Sequence, residues 1–495
     1  MIKQFYQKHH TGIILAVLVL AALPLRLYLL LHRGSFWFDE AFSIHFAALD
    51  WGRIWYYMLN ENNPPLHIFI LHLFSFIFPL SEVATRLLSI IFSLISIPVI
   101  YALGKKMFAS REVGYWAAGF VSISVLQLLF SVEARPYSLL FLLSLLSTYF
   151  YWDFLGGKIK SKSWWLYLFF TLALVYTHLF GWLIVGTQIL VLMINWRRSD
   201  WRKFLPAVAA VLGGFLIWYW PAFSLKIQMP ISQGWFFSTD NCWYFGLKRI
   251  QQALVFIGDG WWYNLIFGGL IAGLLILALF HLPPKNQRPP LFTAAIWYCL
   301  IPLIFPLTLG FLPAKYYIGC FLGLYLLLAL GAVNLKLSWR RQLIAGVFLW
   351  LLFFNFGYSM ATFVHHDWSA VGDYLAEEQA VGAEKVIVSR FHYGLMLDYY
   401  YHGDLPVIEF LPLKGKSADD DLNLIKYNWL HYLNQDNINE LTAIVGDSRR
   451  VVLAQKEIST EKLVEEWFRQ NGWRQLSRKN FLFMDGLEVF LWEKP

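Results

Sequence analysis

Two adjacent carboxylates, Asp39 and Glu40, follow an aromatic run directly beyond the first long apolar stretch of the chain. Carboxylates at the boundary of a membrane are costly unless they are solvated or have a function. One interpretation is a solvated acidic pair that marks the end of a helix. The other is a reactive pair, in which Asp39 acts as a general base toward a hydroxyl group and Glu40 helps to bind or orient that hydroxyl.

A mixed pair of charges lies in the segment Glu133-Ala134-Arg135-Pro136-Tyr137, between two further apolar stretches. The pair is either a local salt bridge that ends two helices or part of a polar site. An arginine guanidinium can hold phosphate oxygens in a bidentate fork, which a lysine cannot match. Arg135 is therefore a candidate for phosphate binding, and Glu133 and Tyr137 are candidates for substrate binding.

Other polar residues lie at the ends of apolar stretches. The sequence Tyr176-Thr177-His178 ends one such stretch, and Lys315 and Tyr316 begin another. Each alone is typical of an interface anchor whose polar end reaches water. Lys315 and Tyr316 are candidates for phosphate binding, and His178 is a candidate for substrate binding. His67 follows a double proline and is a further substrate-binding candidate, although interfacial histidines are more often simply half-solvated.

The elements that position these residues are predicted to be transmembrane helices. The apolar fraction is 58%, the mean hydropathy is +0.50, and only 15% of the residues are charged, far below the quarter that is usual in soluble domains. A spanning helix needs about 20 mostly apolar residues, and the chain offers about eleven such stretches. The predicted spans begin near Gly12, Ala84, Gly114, Ser138, Trp164, Gly181, Phe204, Trp261, Leu291, Tyr316 and Gln342.

The orientation of the spans follows from the lysine and arginine residues, because cytoplasmic loops carry their excess. Basic clusters occur in every second connection, and the net charge of +8 is spread over them, so we predict no nucleic-acid surface. The candidate residues lie in the opposite connections, which predicts a cavity opening on the outer face. The apolar segment Leu66 to Leu80 is short for a span, and we place it as a helix at the outer interface.

The composition changes after Thr362, where charged residues become frequent. The segments 385–389, 450–453 and 487–492 are typical of strands, and helical patterns at 368–377 and 460–471 separate them. We therefore predict a transmembrane domain over residues 1–362 and a small extracytoplasmic α/β domain over residues 363–495. The three cysteines have no spacing typical of a zinc site, and they form no disulfide framework.

Several motifs occur in a recognisable order. They are Phe38-Asp39-Glu40, Asn63-Pro64-Pro65-Leu66, Thr85-Arg86-Leu87, Gly104-Lys105-Lys106, Glu133-Ala134-Arg135-Pro136-Tyr137, Thr177-His178 and Asp367-Trp368. This order resembles the membrane-embedded GT-C glycosyltransferases that use lipid-linked sugars, in particular the bacterial branch of the protein O-mannosyltransferase and lipid A aminoarabinose transferase superfamily, which is similar to glycosyltransferase family 39. The resemblance covers nearly the whole chain.

The resemblance implies eleven to thirteen spans, interfacial helices in the first outer loop, and a catalytic aspartate in that loop, which matches Asp39. It also implies a polyprenyl-monophosphate sugar donor, inversion at the anomeric carbon, and a location in the bacterial inner (plasma) membrane. Many relatives carry Arg-Tyr where this chain has Lys315-Tyr316. The sequence shows no β-trefoil domain like that of the eukaryotic protein mannosyltransferases, which argues against a protein acceptor. A glycan, a lipid and a protein all stay open as acceptors.

Other functions stay open at this stage. A transporter or flippase of lipid-linked glycans would carry its charges at the membrane midplane, whereas here they lie at span ends. An oligosaccharide transferase would use a pyrophosphate-linked donor and typically a metal. No cofactor is established, but a divalent metal would find ligands in Asp39, Glu40 and Glu133 if these carboxylates converge. The aromatic residues of the connection 221–260, including Trp235 and Trp243, are either interface anchors or a surface that stacks on a sugar.

Overall fold

A computed structural model describes residues 2–157, 159–226, 250, 261–280, 282, 288–308, 312–334, 367–388, 391–409, 438–456, 462–481 and 487–495. The contacts divide the chain into two compact units. We call residues 1–31, 62–74 and 83–363 the helical unit, and residues 32–61, 75–82 and 364–495 the mixed unit. The mixed unit therefore combines the C-terminal part of the chain with two segments of the first long loop. The domain boundary between residues 362 and 363 stays a prediction.

The described part of the chain is mainly helical. In chain order its α-helices are α1 (Ile2–His32), α2 (Phe38–Ala47), α3 (Trp51–Asn60), α4 (Leu66–Ser75), α5 (Glu82–Phe108), α6 (Arg111–Ile123), α7 (Val125–Ser131), α8 (Tyr137–Leu155), α9 (Ser161–Thr177), α10 (Gly181–Ile194), α11 (Trp201–Lys226), α12 (Trp261–Phe280), α13 (Phe292–Thr308), α14 (Leu322–Asn334), α15 (Trp368–Ala380), α16 (Phe391–Tyr400), α17 (Leu441–Val445) and α18 (Lys462–Gln470). Short 3₁₀-helices cover Ala314–Tyr317 and Ile438–Glu440.

Ten of the eleven predicted spans begin within or beside a described helix, and the eleventh, near Gln342, lies outside the described residues. Within the described ranges, four helices are long and apolar enough to cross a membrane, or five if the bent pair α6 and α7 forms one span. Shorter apolar helices include α4, α10, α13 and α14. The chain is a multi-pass membrane protein, and the number of eleven spans stays a prediction.

Helices α6 and α7 meet at Ser124 with a bend of 54°. A bend leaves backbone carbonyls without their helical hydrogen bonds. Inside a bilayer, such polar backbone groups must find hydrogen-bond partners within the protein. The fully buried guanidinium of Arg26 meets this need, because its Nη1 donates to the carbonyl of Ser122 at 3.2 Å. Its Nε and Nη2 both donate to the Ser93 hydroxyl, at 3.1 and 3.0 Å. Helices α1, α5 and α6 are thus joined at the bend.

The remaining helices of this unit are joined by buried hydrogen bonds and by small residues. The Gln188 side-chain amide donates to Ser147 at 2.9 Å and accepts from the Tyr167 hydroxyl at 2.8 Å, which connects α8, α9 and α10. A Cβ added to Gly323 of α14 would collide with the backbone of Cys299 on α13. Close approach at small residues and interhelical hydrogen bonds are the contacts that stabilise helix packing in lipid.

The mixed unit contains a five-stranded sheet in the order β2-β1-β3-β5-β4. Its strands are β1 (Lys385–Val388), β2 (Val407–Glu409), β3 (Arg450–Lys456), β4 (Arg474–Phe481) and β5 (Leu487–Glu493). Strand β1 runs parallel to β2 and β3, whereas β5 runs antiparallel to β3 and β4. The core includes Phe468 of α18, whose ring stacks on Trp492 at 5.0 Å.

The strands predicted at 385–389, 450–453 and 487–492 are confirmed as β1, β3 and β5, and the predicted helices correspond to α15 and α18. These strands are apolar because neighbouring strands and packed helices bury them. The sequence missed β2 and β4, which form the two edges of the sheet. Strand β4 is mostly polar and largely exposed, as edge strands often are, so its pattern does not stand out from that of a loop.

Candidate functional site

The connection between α7 and α8 is buried although it carries two charges. The side chains of Glu133 and Arg135 are only 6% and 9% exposed. The hydroxyl of Ser89, on α5, donates to the Glu133 carbonyl at 2.6 Å, and the Ser138 hydroxyl donates to the Phe130 carbonyl at 2.8 Å. The first bond joins the connection to α5, and the second joins α8 to α7 across it. The two charged side chains of this connection are therefore withdrawn from water.

Lys315 lies in the 3₁₀-helix Ala314–Tyr317 that precedes α14. Its ammonium nitrogen is 5.4 Å from the ring centroid of Tyr137 and 5.7 Å from that of Tyr316. An ammonium group near the face of an aromatic ring is attracted by the ring quadrupole. Tyr137, which was selected from a different part of the sequence, therefore lies near the pair Lys315 and Tyr316, and the two rings orient the lysine.

His178 lies between α9 and α10 and is buried next to the same rings. Its imidazole is 6.2 Å from the Tyr137 ring and 5.6 Å from the Tyr316 ring. Its Nδ1 accepts a hydrogen bond of 3.2 Å from the backbone N–H of Phe180. Burial, together with the positive charges of Arg135 and Lys315, lowers the pKa of His178 to about 3. His178 is therefore neutral, and the tautomer that this bond requires carries its hydrogen on Nε2.

His67, on α4, is also buried, and its imidazole interacts electrostatically with Arg135. Burial, together with the positive charge of Arg135, lowers the pKa of His67 to about 3. We call Arg135, Lys315, Tyr137, Tyr316, His178 and His67 the cationic cluster. It contains two basic side chains, two neutral imidazoles and two phenol rings, all within the helical unit. Such a set can hold an anion by charge and by hydrogen bonds.

Asp39 and Glu40 lie in the first turn of α2, in the mixed unit. Glu40 is fully buried, and its Oε2 accepts a hydrogen bond of 3.3 Å from the backbone N–H of Trp37, the residue that caps the helix. Asp39 is only half-buried, and its carbonyl accepts a bond of 3.0 Å from the Ser43 hydroxyl. The two carboxylates are therefore in different environments. Glu40 has a structural contact that its sequence position alone did not reveal.

Two buried arginines were not selected from the sequence as site residues. Arg86 is 1% exposed on α5, one turn before Ser89, and Arg26 is fully buried on α1. A charged residue inside an otherwise apolar helix indicates either function or a buried partner, and this signal was available at both positions. Thr85-Arg86-Leu87 was considered only as part of a resemblance.

The described residues contain no group of three or more histidine, cysteine, aspartate or glutamate side chains arranged to hold a metal. A divalent metal on Asp39, Glu40 and Glu133 stays an untested expectation. The aromatic residues Trp235, Phe236, Phe237, Trp243 and Tyr244 lie outside the described part of the chain.

Comparison with known proteins relates the chain to membrane glycosyltransferases. Residues 62–220 match the model of a family described as dolichyl-phosphate-mannose-protein mannosyltransferase. No curated protein sequence matches the chain.

Solved structures are similar over most of the chain. The crystal structure of ArnT from Cupriavidus metallidurans bound to undecaprenyl phosphate has a TM-score of 0.59 and 13% identity, and the match covers 96% of this chain and 97% of ArnT. The Archaeoglobus fulgidus oligosaccharyltransferase tethered with an acceptor peptide has a TM-score of 0.55 and 12% identity, covering 91% of this chain and 69% of that one. The arabinofuranosyltransferase AftD from Mycobacteria has a TM-score of 0.50 and 14% identity, covering 98% and 41%.

The resemblance identified from the motifs is confirmed: the chain has the fold of the membrane-embedded GT-C glycosyltransferases along nearly its whole length, and it matches the mannosyltransferase family model over residues 62–220.

Proposed function

We propose that the protein is an inverting glycosyltransferase that moves a sugar from a polyprenyl-monophosphate donor to an acceptor hydroxyl on the outer face of the bacterial inner membrane. The cationic cluster is the observation that carries this proposal. It provides two positive charges and a neutral imidazole in the connections between helices, which is the chemistry that binds a phosphate. ArnT, whose fold is similar, has been crystallised with undecaprenyl phosphate.

The positive charges of the cationic cluster complement the negative charge that grows on the donor phosphate during transfer. A polyprenyl-monophosphate sugar carries one negative charge, and the leaving polyprenyl phosphate carries up to two. Arg135 and Lys315 hold the phosphate and stabilise the charge that grows as the bond breaks, an electrostatic contribution that is greater in the transition state than in the bound donor. The Nε2–H of His178 adds a hydrogen bond without adding a third positive charge.

Asp39 is the general base of the proposed reaction. It takes the proton of the acceptor hydroxyl while that oxygen attacks the anomeric carbon from the face opposite the phosphate. The bond between the anomeric carbon and the phosphate oxygen breaks, and its electron pair leaves with the polyprenyl phosphate. Phosphate leaves as a stable anion, so no general acid is needed. Glu40 is bound to the Trp37 amide, which favours Asp39 over Glu40 as the base.

The remaining candidates have supporting roles in the proposal. Glu133 binds the acceptor or the sugar hydroxyls beside Arg135, and Tyr137 and Tyr316 hold the ammonium of Lys315 in place. His67 contributes a neutral donor or acceptor to the same environment. The acceptor is a glycan, a lipid or a protein with a free hydroxyl.

A second function is supported by one observation, the similarity to the Archaeoglobus fulgidus oligosaccharyltransferase. In that case the donor would be a pyrophosphate-linked glycan. The match covers a smaller part of that protein than of ArnT, which favours the monophosphate donor. A flippase for lipid-linked glycans would bind the same headgroups but transfer no sugar.

A transfer assay distinguishes these functions. Membranes that contain the wild type or the Asp39→Asn variant receive radiolabelled polyprenyl-monophosphate and polyprenyl-pyrophosphate sugars, together with extracted lipids and glycans as acceptors. Transfer from a monophosphate donor by the wild type alone supports the proposal. Transfer only from a pyrophosphate donor supports the oligosaccharide transferase, and label that crosses the membrane without transfer supports the flippase.

A further inference from the structure

The start of α2 is held by a tyrosine from the C-terminal part of the chain. The backbone N–H of Phe36 donates to the Tyr400 hydroxyl at 2.6 Å, and that hydroxyl donates to Oε1 of Glu82, also at 2.6 Å. All three residues belong to the mixed unit. A hydroxyl that donates to a carboxylate becomes a better acceptor, so the two bonds strengthen each other. Burial raises the pKa of Tyr400, and the neighbouring Glu82 adds to this shift, so the hydroxyl keeps its proton.

The two residues that precede α2, Phe36 and Trp37, each donate a backbone hydrogen bond to a side chain. Tyr400 binds the amide of Phe36, and Glu40 binds the amide of Trp37 at 3.3 Å. The residue before them is held as well, because the Ser35 hydroxyl accepts from the backbone N–H of Ser369 at 3.4 Å. Asp39 follows within the first helical turn. The orientation of its carboxylate therefore depends on a backbone that the C-terminal segment holds.

We propose that Tyr400 is a positioning residue for Asp39: by holding the Phe36 amide against Glu82, it sets the direction of the first turn of α2. This inference rests on the proposed role of Asp39 as the base. A displacement of about 1 Å in a reacting group can reduce a rate by roughly 100-fold. Loss of the Tyr400 hydroxyl should therefore lower turnover while leaving donor binding intact.

The neighbouring tyrosine supplies a matched control. The Tyr399 hydroxyl donates to the Leu80 carbonyl at 3.0 Å, and its ring packs against Phe36 with centroids 5.3 Å apart. Tyr399→Phe removes one hydroxyl from the same helix turn but keeps the ring contact and leaves the Phe36 amide bonded to Tyr400. It therefore tests whether any lost hydroxyl in this segment has the same effect.

The first experiment measures kcat and KM for the donor in Tyr400→Phe and Tyr399→Phe. We expect kcat to fall by about 10- to 100-fold in Tyr400→Phe, with KM within about twofold of the wild type, and both constants to stay within about twofold in Tyr399→Phe. Glu82→Gln keeps an acceptor for the Tyr400 hydroxyl and should retain most of kcat, whereas Glu82→Leu should resemble Tyr400→Phe. Equal kcat in Tyr400→Phe and wild type would overturn the proposal.

A second measurement does not depend on transfer activity. Hydrogen–deuterium exchange of the segment 33–47 should be faster in Tyr400→Phe than in Tyr399→Phe or the wild type, because the Phe36 amide loses its acceptor. Unchanged exchange would refute the positioning role whatever the reaction is. Faster exchange in a protein that transfers no sugar from any donor would instead refute the proposed function and leave the contact established.

Discussion

The Nδ1 atom of His178 accepts a hydrogen bond of 3.2 Å from the backbone N–H of Phe180. This bond requires a ring nitrogen without a proton, and it agrees with the lowered pKa of the same imidazole. A histidine beside two cations is therefore kept neutral by burial, by charge and by a hydrogen bond together. The cluster keeps only the charges of Arg135 and Lys315, and its other members contribute hydrogen bonds and apolar surface.

The first prediction concerns the base. Asp39→Asn should lower turnover by roughly 10²- to 10⁴-fold, the usual contribution of general-base catalysis, because an amide cannot accept the hydroxyl proton. The measurement is steady-state transfer, with donor binding followed separately. Asp50→Asn is the control, since Asp50 caps α3 through the amides of Gly52 and Arg53 and asparagine caps helices equally well. Near-normal transfer by a folded Asp39→Asn protein would exclude this base.

The second prediction concerns phosphate binding. Charge-assisted hydrogen bonds contribute about 1.5–3 kcal/mol, so Arg135→Ala should weaken donor affinity by roughly 10- to 100-fold. Arg135→Lys should recover only part of this loss, because an ammonium lacks the bidentate fork. The measurement is the Kd of a polyprenyl phosphate. Lys203→Ala removes an exposed positive charge that pairs with Asp200 and should leave the Kd unchanged.

The third prediction concerns pH. The folded protein lowers the pKa of His178 to about 3 from an ordinary 6.5, so the unfolded state binds the proton more readily between these values. His178 should therefore lower the stability of the folded protein progressively as the pH drops from 6.5 toward 3, and should have no such effect above pH 6.5. In His178→Gln, thermal unfolding should depend less on pH over this range.

The exposed residue His402 supplies the control for this pH experiment. His402→Gln removes an exposed imidazole and tests whether the loss of any histidine changes the pH dependence. Identical pH dependence in His178→Gln and the wild type would show that His178 is not the group responsible.

The fourth prediction concerns the bent helix pair. Arg26→Met removes the donors to Ser93 and to the Ser122 carbonyl, and a buried acceptor left without its donor costs about 1–3 kcal/mol. We expect a lower midpoint of thermal unfolding in detergent. Leu20→Met, at a position 64% exposed on the same helix, should have little effect. A variant as stable as the wild type would mean that methionine packing offsets the lost bonds, as it does for some buried charges.

Tyr400→Phe, discussed above, should affect a different property of the enzyme from Arg135→Ala. It should change kcat without changing donor affinity, whereas Arg135→Ala should change donor affinity first. The two variants therefore assign turnover and donor binding to different groups of residues.

Local patterns in the sequence determined the membrane character, the approximate positions of ten predicted spans, which begin within or beside a described helix, and the strands β1, β3 and β5, because hydropathy and periodicity are properties of neighbouring residues. They also identified every member of the cationic cluster, since charged and aromatic residues at the ends of apolar stretches are conspicuous. The order of the motifs indicated the glycosyltransferase fold.

Only the tertiary structure decided how these residues are used. In the folded chain, Lys315 lies near the Tyr137 ring and His178 is neutral. Glu133 and Arg135 are buried, and Glu40 accepts a hydrogen bond from the backbone N–H of Trp37. The fold also joins Phe36 to Tyr400 across 364 positions of the chain. Such contacts depend on burial and on residues far apart in sequence, and no local pattern records them.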